Sequence, residues 1–221
     1  MMPTPDSTCW TIIRAAAAGN PADREELARR YLGVVRAYLA ARWRESSHLA
    51  DLDDAGQEVF VECFRRGGVL DAASAGRVPS FRAFLYGVIR NVARRFESRS
   101  ARAVEVPFDL PADEASQSRL FDRTWAESLM AEAAELQRQR AKVLGGEYAR
   151  RVELLRLRFE EDRPIRTIAE QWGVPSATLH HAYAQARQEF RAILLEVVAF
   201  HSPGSPEDVA RTAAELLKYL A

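Results

Sequence analysis

The sequence has little of what several protein classes require. Only two cysteines, Cys9 and Cys63, occur among its 221 residues, too few for a disulfide framework, so a reducing compartment fits better. No apolar run reaches the ~18 residues of a membrane-spanning helix. The first residues, MMPTPDSTCW, also lack the basic and then apolar pattern of a secretory signal. The composition therefore predicts a cytoplasmic protein without a membrane span.

Net charge is absent as well, because 31 basic residues balance 31 acidic ones. Any attraction to nucleic acid must then come from local patches rather than from the whole chain. Runs typical of β-strands are nearly missing, whereas Ala, Arg, Leu and Glu are abundant. This balance predicts an all-α fold, and the length allows two small domains.

The patterns of common catalytic and cofactor sites are missing too. There is no Cys/His ligand spacing, no glycine loop that could cradle phosphate and no Ser/His/Asp set. His180 and His181 are adjacent, and neighbours on a helix point in different directions, which argues against a metal pair. We therefore expect no catalytic residue, no metal, no cofactor and no enzymatic activity.

A series of amphipathic helices is present. Residues 20–43 begin with Asn20 as a candidate N-cap and Pro21 at the first helical position. Further helices are predicted at 49–66, 80–100, 123–144 and 147–160, then as a pair up to 198 and as a short helix in the tail. The apolar stripe of the helix at 20–43 comprises Leu27, Tyr31, Val34, Val35, Tyr38 and Leu39.

Residues 104–118 carry two prolines, several acids and no helical period, which predicts a linker. The predicted architecture is two small helical domains joined by a flexible linker, the second with a helix-turn-helix. The first domain covers 8–103, the linker 104–122 and the second domain 123–199. A C-terminal extension with a short helix covers 200–221.

The stretch TIAEQWGVPSATLHHAYAQARQEF, residues 167–190, has the pattern of a helix-turn-helix. Ile168, Ala169 and Trp172 would be the buried side of a short helix. Gly173 stands where the chain needs a left-handed turn, and Val174 would plug the corner. DNA binding is the favoured interpretation, and a packed helical hairpin with a tight glycine turn is the alternative.

The outer side of this motif is weakly basic. Because contacts to phosphates dominate the affinity for DNA, the few arginines would supply only a small part of that affinity. Sequence specificity would depend on Ser176, His180, His181 and Gln185. The candidate DNA-facing residues are Arg163, Arg166, Ser176, Thr178, His180, His181, Gln185 and Arg187.

Two further helices carry charge of one sign. In DLDDAGQEVFVECF, Asp51, Asp54 and Glu58 share one helix face with Gln57 beside them. This acidic face predicts docking of a basic or amphipathic partner helix, and the alternative is an ordinary solvated surface.

The second charged helix is SFRAFLYGVIRNVARRFESRSAR, in which Glu97 is the only acid. Arg90, Asn91 and Arg94 share the face opposite an apolar stripe that includes Phe84. An asparagine can read a base edge, and aromatic rings can stack on unpaired bases. Nucleic-acid binding is favoured over a solvated arginine-rich helix. The arginines of this segment are Arg82, Arg90, Arg94, Arg95, Arg99 and Arg102.

These three patterns, in this order, resemble the sigma factors of bacterial RNA polymerase, in particular the extracytoplasmic-function type. The resemblance runs from about Trp10 to Val198. DLDDAGQEVFVECF resembles region 2.2, SFRAFLYGVIRN resembles regions 2.3 and 2.4, and TIAEQWGVPSATLHHAYAQAR resembles region 4.2. The region 2.2 signature is carried by Asp51, Asp54, Gln57, Glu58, Val59 and Phe60.

The resemblance implies a function. Asp51, Asp54, Gln57, Glu58 and Phe60 would bind the clamp coiled coil of core RNA polymerase, and the helix-turn-helix would read the −35 promoter element. The acidic linker near 105–114 would run through the polymerase cleft, and a pocket in the loop 67–80 would hold an unstacked base. Promoter DNA and core polymerase are the implied partners, with an anti-sigma factor as a further candidate. Reading and melting of the −10 element would fall to Phe84, Arg90, Asn91, Arg94 and Arg95.

The sequence departs from the family pattern at several points. Phe84 stands where the family usually has Trp, Arg95 stands where an Asp usually follows the Asn, and the tail after Phe200 has no counterpart. Two alternatives stay open. One is a stand-alone helix-turn-helix regulator, and the other is a helical interaction protein without DNA binding.

Overall fold

The computed structural model describes residues 9–65, 80–103 and 114–220, and it confirms the all-α fold class over these ranges. Nine α-helices and one 3-10 turn are present in them, without a β-strand. The base pocket predicted in residues 67–80 and the acidic linker near 105–114 lie almost wholly outside the described residues. The helices are α1 (Cys9–Ala17), α2 (Pro21–Arg42), α3 (Leu52–Phe64), α4 (Phe81–Ala103), α5 (Glu114–Leu144), α6 (Gly146–Phe159), α7 (Ile165–Trp172), α8 (Ser176–His201) and α9 (Pro206–Leu217), with the 3-10 turn at Ser47–Asp51.

The chain divides into two compact units. The first unit runs up to Ser128 and also includes the residues from Ala199 onward, and the second unit is Leu129–Val198. α5 begins earlier than the predicted helix start at Arg123, so residues 114–122 are helical rather than linker. The reason is apolar burial, because Phe121 and Trp125 are 1% and 2% exposed and their rings pack in the first unit.

α2 is the central helix of the first unit. Its start follows the prediction, since the Asn20 side chain accepts from the backbone N–H of Ala22 and Asp23, and Pro21 occupies the first position. The helix packs against α1, α3 and α4. Burial of each large apolar side chain contributes about 1.5–3 kcal/mol. The predicted stripe is confirmed, because the buried residues of α2 are Leu27, Tyr31, Val34, Val35, Tyr38 and Leu39.

The C-terminal extension belongs to the first unit. His201, at the end of α8, is 3% exposed, and its Nδ1 lies 2.8 Å from the hydroxyl of Tyr31. The Cys9 thiol donates to the carbonyl of His201 at 3.2 Å, and the ring of Trp125 meets the imidazole edge-on at 5.6 Å. The short helix predicted in the tail is confirmed as α9, which Ser205 caps.

Both cysteines are buried and unpaired with each other. Cys9 and Cys63 are each 1% exposed. Burial raises the pKa of each thiol to about 12, so neither forms an appreciable thiolate at neutral pH. These residues act as small apolar side chains in the core.

The second unit has its own core between α6, α7 and α8. Gly173 ends α7 with φ 64° and ψ 33°, the left-handed conformation predicted for it. Val174 donates its N–H to the Ala169 carbonyl at 3.0 Å, which closes the turn before α8. The buried cluster comprises Leu154, Leu157, Ile168, Ala169 and Leu179, with Ile165, Trp172, Val174, Ala182 and Tyr183 packed around it.

None of the helices in the described ranges is long and apolar enough to cross a membrane.

Candidate protein and nucleic-acid interfaces

The acidic face defined by Asp51, Asp54, Gln57 and Glu58 lies along α3 and the turn before it. Asp54 and Gln57 are exposed and Glu58 is partly exposed. Asp51 has its Oδ2 3.3 Å from Nδ1 of the buried His48, which fixes it at the start of the helix. Asp54 forms no ion pair with any described residue, so its carboxylate is available to a partner.

The apolar part of this face differs from the expectation. Phe60, a predicted docking residue, is 7% exposed, and its ring centre lies 6.2 Å from that of Phe64. Its ring therefore offers little surface to a partner. Val61 is 57% exposed and follows Asp54 and Gln57 at helical spacing. Sequence reasoning missed Val61, although Asp54, Gln57 and Val61 stand at positions i, i+3 and i+7 of one helix face, a spacing that could have revealed it. The face thus combines an exposed apolar side chain with acidic neighbours.

A second feature is an open groove of about 600 Å³ along α4, here called the α4 groove. It brings together four of the five residues predicted for the −10 element. Gly87 lines the groove without a side chain, and the space where a side chain would project is open, since no atom lies within 4 Å of the position of a Cβ there. The lining residues are Glu62 from α3 and Ala83, Phe84, Gly87, Val88, Asn91, Val92, Arg94 and Arg95 from α4.

Two of the predicted residues are placed differently from the expectation. Phe84 is 4% exposed and stacks on Phe81, with 5.6 Å between the two ring centres. It therefore forms part of the groove wall rather than an exposed surface on which a base could stack. Arg90 is not among the lining residues, and its guanidinium lies 6.0 Å from the ring centre of Tyr86. Asn91 and Arg94 are exposed at the groove.

Arg95 joins α4 to α3. Its Nη1 lies 3.0 Å from Glu62 Oε1, and its Nη2 lies 3.5 Å from Glu58 Oε1. One guanidinium at the α4 groove therefore also contacts a carboxylate of the acidic face.

The third feature is the outer surface of α7 and α8. Leu179 and Ala186 are buried in the second unit, and Ala182 and Tyr183 between them pack against its core. The opposite face of α8 is therefore turned outward. The turn at Gly173 sets the angle at which α8 leaves α7, and thereby places the first turns of α8 at the surface. Six of the predicted DNA-facing side chains are exposed there, namely Ser176, Thr178, His180, His181, Gln185 and Arg187.

The remaining two predicted residues, Arg163 and Arg166, are held in ion pairs. Arg163 Nε lies 2.7 Å from Glu161, and its Nη1 donates to Gln171 at 2.8 Å. Arg166 lies 3.2 Å from Glu170, and both side chains are largely exposed. Exposed pairs of this kind contribute about 0–1 kcal/mol, so a phosphate can replace either carboxylate.

Within the described part of the chain, no group of three or more His, Cys, Asp and Glu side chains could hold a metal ion. No protein-family model matches the chain, and no curated protein matches it.

Proposed function

We propose that the chain is a sigma factor of the extracytoplasmic-function type, which binds core RNA polymerase and directs transcription to specific promoters. The observation that carries the proposal is the packing of α3 against α4 within one unit. It puts the acidic face, which repels phosphates, beside a groove lined by Asn91, Arg94 and Arg95. Two partners of opposite charge, a protein and a nucleic acid, suit this pair of surfaces.

The acidic face would receive a basic partner helix of the polymerase. Asp54 and Glu58 would supply charge complementarity, which favours encounter and register. Val61 would supply apolar contact at the centre, where water is excluded. Gln57 can donate and accept hydrogen bonds between them.

The α4 groove would receive one strand of the −10 element. Asn91 would hydrogen-bond a base edge, and Arg94 and Arg95 would contact phosphates. Phe84 would shape the groove wall. A base could lie along the open stretch at Gly87, where no side chain obstructs the groove.

The helix pair α7 and α8 would act as a helix-turn-helix on the −35 element. Two of its candidate DNA-facing arginines, Arg163 and Arg166, are paired with acids, so by itself it would hold DNA weakly. A sigma factor does not need strong independent binding, because attachment to polymerase raises the effective concentration of the reader at the promoter. His180, His181 and Gln185 would then supply selectivity.

In this proposal the two compact units, whose boundary lies within α5, act as the −10-binding and −35-binding domains, and the chain performs no bond chemistry of its own. It works in the cytoplasm, where its two partners are found. An anti-sigma factor would be a further partner for the same surfaces.

Gel filtration of the full chain with core polymerase, followed by transcription in vitro on a genomic library, tests the proposal. Co-elution together with discrete new start sites is the expected result. DNA binding at moderate salt without co-elution would favour a stand-alone regulator. Co-elution without transcription would favour an interaction protein that antagonises initiation.

A further inference from the structure

Glu189 on α8 is held by an arginine of the neighbouring helix α6. Its carboxylate accepts from Arg151 Nε at 3.0 Å and from Arg151 Nη2 at 2.7 Å. Arg151 and Glu189 are 15% and 21% exposed at their side chains, and the guanidinium also lies 5.7 Å from the ring centre of Tyr148. This two-point pair fixes the carboxylate, because the planar guanidinium presents its donors in a rigid fork.

The same carboxylate contacts one of the predicted DNA-facing residues. Gln185 stands one turn before Glu189 on α8, and its Nε2 donates to Glu189 Oε1 at 3.2 Å. A carboxylate can only accept hydrogen bonds, so the Gln185 amide must turn its nitrogen, and not its oxygen, toward Glu189. The exposed Gln185 side chain therefore has a defined orientation before any DNA arrives.

This orientation decides which groups Gln185 offers to a base. Glu189 uses one of its two amide N–H groups, and the amide oxygen and the second N–H remain. One acceptor beside one donor complements adenine, which presents its N6 amino group as donor and N7 as acceptor in the major groove. Guanine presents two acceptors there, O6 and N7, so the amide oxygen would face an acceptor without a hydrogen between them.

We propose that Glu189 is a positioning residue, which orients Gln185 to read adenine and to discriminate against guanine in the −35 element. Arg151 anchors Glu189 and so contributes to the same orientation. The inference rests on the proposed function, in that it needs α7 and α8 to bind DNA as a helix-turn-helix. It assigns sequence specificity to a residue that contacts no base, because specificity is a difference in affinity between two bases.

The test first locates the base pair that Gln185 reads. The free full-length chain and Gln185→Ala each select duplexes from a randomised pool at low salt, and that base pair is the one at which the variant loses the wild-type preference. Fluorescence anisotropy then gives the affinities for two labelled duplexes with adenine or guanine at that position. One fixed salt concentration is used, because salt strongly shifts such affinities. The measured quantity is the ratio of the two affinities.

Glu189→Gln is the test variant, since a carboxamide can present either an acceptor or a donor to Gln185 and no longer dictates its orientation. The matched control is Glu196→Gln, further along α8. It removes the same charge from the same helix and breaks a pair with Arg140, whose Nη1 lies 3.2 Å from Glu196 Oε1. The loss of one negative charge acts on both duplexes through their phosphates, so its effect cancels in the ratio.

The wild-type chain should favour adenine over guanine about fivefold or more, the lower end of what a good bidentate contact provides. Glu189→Gln should lower that preference about threefold or more, since the preference depends on the orientation of the amide. Glu196→Gln should leave the ratio unchanged. In a Gln185→Ala background, Glu189→Gln should no longer affect the ratio, because the two residues act through one contact.

Several results would overturn the inference. One is a ratio that Glu189→Gln lowers no more than Glu196→Gln does, and another is an effect of Glu189→Gln that persists without Gln185. A preference for a base other than adenine at the located position would also overturn it. The same holds if Gln185→Ala changes no preference, or if the wild-type chain selects no DNA sequence.

Thermal unfolding followed by circular dichroism shows whether each variant is folded. If Glu189→Gln does not fold because Arg151 has lost its counter-charge, Arg151→Gln/Glu189→Gln takes its place with the same expected ratio, since it leaves no unpaired charge. Failure of both variants to fold would make the pair purely structural and would overturn the inference.

Co-elution of the wild-type chain with core polymerase is scored separately. Its absence would refute the proposed function, whereas a Glu189-dependent preference for adenine in the free chain would still support the inference. Co-elution together with an adenine preference that does not depend on Glu189 would refute the inference alone.

Discussion

Arg42 and Glu97 form a buried two-point ion pair between the end of α2 and the C-terminal half of α4. Arg42 Nε lies 2.7 Å from Glu97 Oε1, and Nη2 lies 2.8 Å from Oε2. The two side chains are only 2% and 6% exposed, and Trp43 Nε1 donates to the same carboxylate at 2.9 Å. The only acid on the arginine-rich helix is thus a structural residue of the first unit.

We expect Glu97→Gln to destabilise the chain by about 3–5 kcal/mol, because it leaves the Arg42 guanidinium buried without a counter-charge. Urea unfolding followed by circular dichroism measures the loss. The matched control is Glu127→Gln, whose pair with Arg123 is more than half exposed on both sides and should cost less than about 1 kcal/mol. Equal losses in the two variants would contradict the assignment.

The same pair predicts a pH dependence. Burial raises the pKa of Glu97, but hydrogen bonds from Arg42 and Trp43 outweigh burial and hold the pKa below its ordinary value of 4.5. A carboxylate with a lowered folded pKa stabilises the protein above the unfolded pKa, and this contribution is lost as pH falls through the folded pKa. The stability gap between wild type and Glu97→Gln should therefore be largest above pH 4.5 and shrink at lower pH. Urea midpoints from about pH 6 to about pH 3 would check this, and a constant gap would contradict it.

The hydrogen bond between the Tyr31 hydroxyl and the His201 imidazole should stabilise the folded chain. Tyr31→Phe removes its 2.8 Å hydrogen bond to the imidazole, and we expect a loss of about 0.5–1.5 kcal/mol. Tyr86→Phe is the matched control, because the Tyr86 hydroxyl is buried without a hydrogen-bond partner among the described residues. That control should be neutral or slightly stabilising. Thermal unfolding of both variants distinguishes them, and an equal effect would argue against the anchoring of the C-terminal segment by Tyr31.

Docking on the acidic face can be tested by charge reversal at its exposed positions. Asp54→Arg/Gln57→Arg should abolish co-elution with core polymerase, because like charges would face a basic partner helix. Asp53→Arg lies on the same helix but beside Arg36, and it should retain co-elution. Normal co-elution of the double variant in gel filtration would show that α3 is not part of the polymerase interface.

The two exposed histidines of α8 should set the preferred −35 sequence. They lie near the start of that helix, where a helix-turn-helix protein places its base-contacting side chains. His180→Gln/His181→Gln should change the order of preference among DNA duplexes, whereas Arg191→Gln, further along α8, should at most weaken binding to all of them. Selection from a randomised duplex pool with the polymerase-bound chain measures this. If the selected DNA sequence is the same for the variant and the wild type, the two histidines do not contact the bases.

Local patterns were sufficient for much of the fold. The cap at Asn20 and the stripe from Leu27 to Leu39 follow from residue types a few positions apart, and the structure has both. The left-handed Gly173 could be predicted for the same reason, since few residues other than glycine adopt this conformation easily.

Contacts between residues far apart in sequence could not be predicted in this way. The anchoring of His201 joins Cys9 and Tyr31 to the other end of the chain, and no local period encodes it. The early start of α5 has the same cause, because Phe121 is buried by tertiary packing. At the candidate site, exposure of the acids on α3 was predictable, whereas the sharing of Arg95 between Glu58 and Glu62 depends on how α3 lies against α4.

The burial of both thiols also makes the chain convenient for spectroscopic labelling. Cys9 and Cys63 are the only cysteines, and at neutral pH neither presents a thiolate to a maleimide in the folded protein. A single cysteine placed at the exposed position of Gln188 on α8 would therefore react selectively without removal of the native ones. A fluorophore there would report the arrival of DNA at the second unit in real time.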